Sequence, residues 1–548
     1  MIEFELNGRP VAVSADDPSL LDVLRDELGV RSVKDGCSPQ GQCGCCTVWV
    51  DGQPRVACVT PARRMAGRTV TTVEGLPDAE GWAARFCAEG ATQCGFCTPG
   101  IIMRLAALDE SRRSSPAAVD RALLAHLCRC TGWQSIVSAA IAGPLEDASA
   151  AASAGSDRRH AADRAAIEGG TEQLVEPGVA LGRGGFADDT APQGALVAVR
   201  GADDDWVTGT SLAAARAAAG KVQGRRTTAP ARWPIELPPS DWVRTLQTTW
   251  VEPAYLEPDA SWCAPGGVPA TPLANGGAFG GKLASPVGLV ARRLADEHGV
   301  PVRVQYSRED TVRRGPKRPP VGIGLRADGS GTARVARPAD PAEEAPLVAL
   351  LSRLAPDVEV HFVDVVGPPV STALRAAVWA EVLAVRASLD GAGARVGRGG
   401  GGTGDDGGDD GDPAAPGGAR FDRITAPSGA TAAAGIVERD GLETVHVEVR
   451  CGRPLDEVVL RSYCVGAAHM ALGMVRSEFL AIGDDGVPLD LTIRSFGILR
   501  ASDMPTVEVE IVADDGDPVA ASEAVFAAVL AAAWRHAGYP DRWPIAAM

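Results

Sequence analysis

Apolar and polar positions alternate at the start of the chain. Ile2, Phe4 and Leu6 are apolar and Glu3 and Glu5 charged; Asn7-Gly8 is a tight-hairpin dipeptide, after which Val11-Ala12-Val13 returns. Residues 20–28 switch to a helical period. Thr47-Val48-Trp49-Val50, the turn dipeptide Asp51-Gly52 and residues 54–58 predict a second hairpin. Together these predict a small mixed sheet crossed by one helix, the β-grasp ferredoxin pattern. Helical spacing then dominates: residues 100–108, followed by a helix opened by Ser115-Pro116 and running to about 127. Residues 146–168, rich in Ala, Ser, Asp and Arg, read as a linker. Residues 395–420, Gly-rich with Asp405, Asp406, Asp409, Asp410 and Asp412, read as a second one, with too little apolar surface to order itself. Beyond it, 443–449 and 506–512 alternate as strands, 487–498 suggests more strands, and 463–475 and 521–534 read as helices. The expectation is an α+β multidomain protein.

Composition narrows the function classes. The 548 residues suffice for several domains. With 53 basic against 70 acidic residues, the net charge of −17 leaves no basic stripe for nucleic acid and no polybasic patch for a membrane. No uninterrupted apolar run reaches the roughly 18 residues of a membrane span, and Met1-Ile2-Glu3-Phe4-Glu5 is not a secretory signal. The expected compartment is the cytoplasm, where thiols stay reduced.

The thirteen cysteines change the picture, because ten of them lie between Cys37 and Cys130. In a reducing compartment such clustering means metal or redox chemistry. Cys37, Cys43 and Cys46 are spaced C-x5-C-x2-C, and Cys58 follows after eleven more residues. The plant-type [2Fe–2S] pattern is C-x4-C-x2-C…C, one residue shorter in the first gap. Gly36, Gly41 and Gly44 suit a loop that must wrap tightly and turn N–H groups toward sulfur. Cys45, beside Cys46, is expected to point away from the ligands. The second group is Cys94 and Cys97 (C-x2-C), a thirty-residue gap, then Cys128 and Cys130 (C-x-C). On spacing, these two pairs could hold an iron–sulfur cluster or a structural Zn²⁺. Cys87 reads as a small buried residue within a helix, and Cys263, Cys451 and Cys464 as packing residues.

Three stretches carry a resemblance: residues 36–47, Gln93-Cys94-Gly95-Phe96-Cys97-Thr98-Pro99-Gly100, and Leu127-Cys128-Arg129-Cys130-Thr131-Gly132. Over about residues 1–145 the chain resembles the iron–sulfur subunit of the molybdenum hydroxylases, the xanthine dehydrogenase/aldehyde oxidase family. The resemblance implies two [2Fe–2S] clusters, one on Cys37, Cys43, Cys46 and Cys58, the other on Cys94, Cys97, Cys128 and Cys130. It also implies that Gln93 contacts a molybdopterin, and that electrons pass from molybdenum through both clusters to FAD on a flavin subunit. The implied partners are a molybdopterin-binding catalytic subunit and an FAD-binding subunit. The lengthened gap between Cys37 and Cys43 departs from the family's commonest form.

Later segments resemble pieces of the family's molybdopterin-binding subunit: Phe186-Ala187-Asp188-Asp189 with 196–200, Glu252-Pro253-Ala254-Tyr255-Leu256-Glu257-Pro258, Gly276-Gly277-Ala278-Phe279-Gly280-Gly281-Lys282, residues 300–310, and Ala373-Leu374-Arg375-Ala376-Ala377. The 276–282 loop also fits the first part of a P-loop, but Leu283 stands where the Mg²⁺-binding hydroxyl belongs. In place of the family's catalytic Glu the nearest sequence is Asp515-Gly516-Asp517-Pro518, which reads as a turn, so no catalytic residue is assigned. The expected organisation is a ferredoxin-like [2Fe–2S] domain over 1–77, a helical-bundle [2Fe–2S] domain over 78–145 and the linker 146–168. A reduced molybdopterin-binding-like region follows over 169–394, then the linker 395–420 and an α+β region over 421–548. The expected function is electron transfer. The alternatives are a self-contained hydroxylase of an aldehyde or N-heterocycle, and a zinc-stabilised interaction module.

Overall fold

The computed structural model describes residues 1–14, 18–142, 155–220, 229–393 and 421–548. The first sheet contains β1 (Ile2–Leu6), β2 (Arg9–Val13), β3 (Thr47–Val50), β4 (Gln53–Val56) and β5 (Thr69–Thr71), in the order β2-β1-β5-β3-β4. β1 pairs antiparallel with β2 and parallel with β5. Both hairpins close as expected, with Asn7-Gly8 and Asp51-Gly52 at positive φ. The helix expected over 20–28 is present in an altered form. Ser19 caps one α turn, Leu20–Asp22, and the chain then widens into a π turn over Val23–Glu27. The apolar period survives that widening, which is why sequence spacing does not reveal it.

Helices Ala79–Ala88, Thr98–Ala106, Glu110–Arg113, Pro116–Leu123 and Gln134–Ile141 follow. The fourth stops at Leu123, short of the expected 127, because the next residues turn back toward the first cysteine loop. Residues 155–168, read as linker, instead form most of the helix Gly155–Gly169. Composition misleads there because Arg164 is wholly buried, paired to Glu168 at 2.8 Å and bonded to the carbonyls of Pro454 and Val519. Residues 146–154 and the Gly/Asp-rich stretch 395–420 lie outside the described residues.

Three four-stranded sheets make up the rest. One contains β6 (Leu196–Arg200), β7 (Trp206–Gly209), β9 (Ala260–Cys263) and β10 (Val302–Gln305) in the order β7-β6-β10-β9. The next contains β8 (Arg244–Gln247), β11 (Val321–Leu325), β12 (Gly331–Ala336) and β13 (Val358–Val363) in the order β13-β12-β11-β8. The last is β14 (Asp422–Thr425), β15 (Thr431–Arg439), β16 (Leu442–Arg450) and β17 (Thr506–Ile511), in chain order. It shares a core with the helices Trp379–Gly393, Glu457–Arg476 and Ser522–His536. The strands expected over 487–498 are absent: a turn, the single bridge Ile482–Pro488 and a 3₁₀ turn, Ile493–Phe496, take their place. That segment bonds to the first cysteine loop instead of to a sheet, through Gln40. Among the described residues one helix, Glu457–Arg476, is long and apolar enough to cross a membrane; 89% of its apolar window is buried in the protein. A single apolar core runs from the first sheet and the early helices into Phe186, Trp250, Leu256, Ile493 and Phe496. The cysteine-rich part is therefore embedded in the later chain.

Candidate metal centres

The first cysteine loop is wrapped by backbone donors. The Gln40 and Gln42 N–H groups donate to Cys37 Sγ at 3.0 and 3.5 Å, and the Cys58 N–H donates to Cys46 Sγ at 3.4 Å. Gly41 and Gly44 adopt positive φ, as the wrapping requires. Gly36 does not; its lack of a side chain serves proximity. A methyl there would stand 3.1 Å from Cys45 Sγ, 3.2 Å from Cys43 Sγ and 3.2 Å from the Phe96 ring. The Cys43 and Cys58 thiols lie within hydrogen-bonding reach of Cys37 Sγ and, with the N–H groups, hold the Cys37 thiol well below its ordinary range against the effect of burial. Cys58 in turn reaches Cys46.

In the second group the sulfurs meet two by two. Cys94 and Cys130 lie 3.5 Å apart, and Cys97 reaches Cys128. Cys97 stands at the N-terminus of the helix Thr98–Ala106. The Cys128 thiol is pulled down to about 6, first by Cys97 and then by Thr131, whose Oγ1 is 3.2 Å away. Gln93 lies beside this group. Its Nε2 donates to the Cys130 carbonyl at 3.0 Å and to Ser462 Oγ at 2.9 Å.

The pairing in the second group bears on the metals that the spacing left open. A tetrahedral Zn²⁺, with sulfur at about 2.3 Å, brings all four sulfurs within roughly 3.8 Å of one another. A diiron cluster instead takes four thiolates as two pairs, one pair to each iron, and the pairs Cys94–Cys130 and Cys97–Cys128 suit that donor set. Cys45, expected to turn away, keeps its sulfur within reach of Cys43, while burial pushes its thiol up. With Cys37, Cys43, Cys46 and Cys58 as the expected ligands, Cys45→Ala is expected to leave four irons per chain in an iron assay; loss of iron would make Cys45 a ligand. Cys87 stays apart in its helix, its thiol pushed up to about 12 by burial.

The two groups touch through the backbone. The Leu127 N–H, one residue before Cys128, donates to the Cys43 carbonyl at 3.0 Å. A methyl on Gly100 would stand 2.4 Å from the Gly44 carbonyl, so the helix Thr98–Ala106 rests directly on the first loop. His126 lies against Gly44 with Nε2 3.1 Å from Thr47 Oγ1, and burial pushes its pKa down to about 3, which keeps the ring neutral.

The later motifs close around these groups. Phe186 packs edge-on against Phe96 at 5.2 Å, and Asp188 and Asp189 pair with Arg25. Arg308, fully buried, donates to the Gly36 carbonyl at 2.6 Å. A methyl on Gly277 would stand 3.0 Å from Cys94 Sγ. Lys282 is spent on Glu257 at 2.5 Å and on the carbonyls of Pro258 and Pro272, which removes it from phosphate binding. The Gln93 amide, toward which the resemblance directs a pterin, is likewise engaged within the protein. Molybdopterin therefore meets no ready donor at Gln93. Asp517 lies on an exposed turn.

Sequence reasoning missed two features. Arg129, between Cys128 and Cys130, forms a doubly hydrogen-bonded buried pair with Glu478. Arg375 faces a cavity also lined by Phe279, Met470 and Phe526, with its guanidinium 3.5 Å from Met470 Sδ and 4.6 Å from the Phe279 ring centre. An arginine framed by two cysteines was the available signal for the first. The stretch 373–377, similar to part of the family's molybdopterin-binding subunit, was the signal for the second.

Comparison with known proteins agrees with this geometry. The [2Fe-2S] binding domain family matches residues 72–141. The chain is 40% identical over 145 residues to the xanthine dehydrogenase iron-sulfur-binding subunit of Escherichia coli, a match covering 25% of this chain and 89% of that subunit. It is 41% identical over 141 residues to the isoquinoline 1-oxidoreductase subunit alpha of Brevundimonas diminuta, covering 25% and 92%. The whole fold is similar to that of the aldehyde oxidoreductase of Desulfovibrio gigas, with a TM-score of 0.69 at 16% identity over 99% of both chains. The matched domain family and the similar subunits define an iron–sulfur oxidoreductase. Within that class, the chain belongs to the molybdenum hydroxylase family, that of xanthine dehydrogenase and aldehyde oxidase.

Proposed function

We propose that this chain transfers electrons in a molybdenum-hydroxylase-type complex. It takes them from a molybdopterin centre on a catalytic subunit and passes them to a flavin subunit. One [2Fe–2S] cluster would be held by Cys37, Cys43, Cys46 and Cys58 in a ferredoxin-like domain over 1–77. The other would be held by Cys94, Cys97, Cys128 and Cys130 in a helical domain over 78–145. Each cluster, when bound, accepts or gives one electron. Residues 169–394 and 421–548 are a reduced molybdopterin-subunit-like body that encloses the clusters and docks partners. The observation that carries this reading is the meeting of the second group's thiols as Cys94–Cys130 and Cys97–Cys128, beside the N–H-wrapped sulfurs of the first group, with the Cys43 carbonyl bonded to the residue before Cys128.

The protein's own residues account for the rest of the task. Backbone N–H groups around Cys37 and Cys46 stabilise thiolate over thiol. Phe186 and the 276–277 backbone line the small cavity beside Cys94, Cys97 and Cys130. A self-contained hydroxylase is the second reading, favoured by Arg375 at its cavity, where a guanidinium suits an anionic or carbonyl ligand. The metal tally of purified chain separates the two. Four Fe and no Mo, with a red-brown colour bleached by dithionite, is the expected result; one Mo per chain overturns it, and a colourless zinc protein overturns both.

A further inference from the structure

Arg129 occupies an unusual position. Its backbone is framed by Cys128 and Cys130, and its side chain is buried. Both terminal nitrogens donate to Glu478, at 2.6 Å to Oε1 and 2.7 Å to Oε2, and its Nε donates to the Pro253 carbonyl at 3.1 Å. Glu478 is 1% exposed. It follows the helix Glu457–Arg476 and is seated by Gly473, where a methyl would stand 2.0 Å from Glu478 Oε1. Arg129 is also a shared wall. It lines the small cavity beside Cys94, Cys97 and Cys130 and, on its other side, the cavity of Arg375, Met470 and Phe279.

We propose that Glu478 is a positioning residue that sets the reduction potential of the second centre by neutralising Arg129. This rests on the reading that Cys94, Cys97, Cys128 and Cys130 hold a [2Fe–2S] cluster. Reduction adds one electron, and so one negative charge, to a site shielded from water. A fixed charge nearby therefore acts at low dielectric. With the pair intact that charge is close to zero. Without the carboxylate a buried guanidinium is left uncompensated and favours the reduced state. Without the guanidinium a buried carboxylate is left and favours the oxidised state. Opposite signs for the two losses distinguish charge control from simple loosening, which would move both variants the same way.

The test is a dithionite titration of the full iron-loaded chain, with each centre followed by electron paramagnetic resonance. Four irons in the wild type come first, since fewer would defeat the cluster reading itself. With four irons present, Glu478→Gln is expected to raise the second centre's potential and Arg129→Met to lower it. Each change amounts to at least a tenfold shift in the reduced-to-oxidised ratio at fixed potential, about 59 mV for one electron, while the first centre stays put. Unmoved potentials, shifts of the same sign, or equal shifts at both centres overturn the proposal. Should one variant lose its iron, the sign of the other decides. Should both, the neutral double variant R129M/E478M retaining a second centre near the wild-type potential supports it, and its failure to do so overturns it.

Discussion

Cys128→Ser is expected to halve the iron, from four atoms per chain to two, and to erase one of the two electron paramagnetic resonance signals while leaving the other. The sulfur of Cys128 meets Cys97 and is the thiol of its group that the surroundings pull down, to about 6. A serine hydroxyl holds its proton far more tightly and is a harder ligand, so the pair Cys97–Cys128 loses its grip on iron. Cys94 and Cys130 remain 3.5 Å apart but cannot hold a two-iron unit by themselves. Electron delivery to an acceptor should fall by more than the roughly 10–100-fold that loss of an outer-shell partner costs. The first group keeps its own donors, from Gln40, Gln42 and Cys58, so its signal should persist. Simultaneous loss of both signals would contradict two independently ligated centres.

The second large effect is expected at Gly466, in the middle of the helix Glu457–Arg476. A methyl at this position would stand 1.7 Å from the carbonyl oxygen of Cys130. On helix propensity alone Gly466→Ala should stabilise, by about 1 kcal/mol. Steric overlap with backbone acts against this and is far larger, because neither partner is a side chain that can swing away. Inserting a methyl into a packed site costs typically 1–3 kcal/mol, and a contact this short belongs at or beyond the upper end. The net expectation is destabilisation by about 2 kcal/mol or more, read as a lower guanidinium midpoint at unchanged slope. Weakened iron retention at the second group should accompany it. A midpoint at or above that of the wild type would mean that the helix does not approach Cys130 so closely.

The two groups of cysteines could be found from sequence because their order and spacing are local properties. So could the hairpins at Asn7-Gly8 and Asp51-Gly52, where a dipeptide dictates the backbone. What escaped was whatever depends on distant partners. Residues 155–168 look like a solvated linker until Arg164 is seen buried against Glu168 and two carbonyls from the C-terminal part. Residues 487–498 carry a strand-like pattern, yet their hydrogen bonds go to Gln40, some 450 positions earlier. The Arg129–Glu478 pair joins residues far apart in the chain, and half of it, Glu478, has no distinguishing neighbours in sequence. Gly36 was assigned a conformational role on residue type, whereas its actual service is to let two sulfurs and the Phe96 ring crowd in.

The single hydrogen bond from the Leu127 amide to the Cys43 carbonyl has a wider consequence. On the proposed function, a charge passing between the two cysteine groups would have a route over two short stretches of bonded backbone and this one contact between them. The same contact is mechanical, so a displacement of the Cys128 segment is felt at Cys43 within one bond.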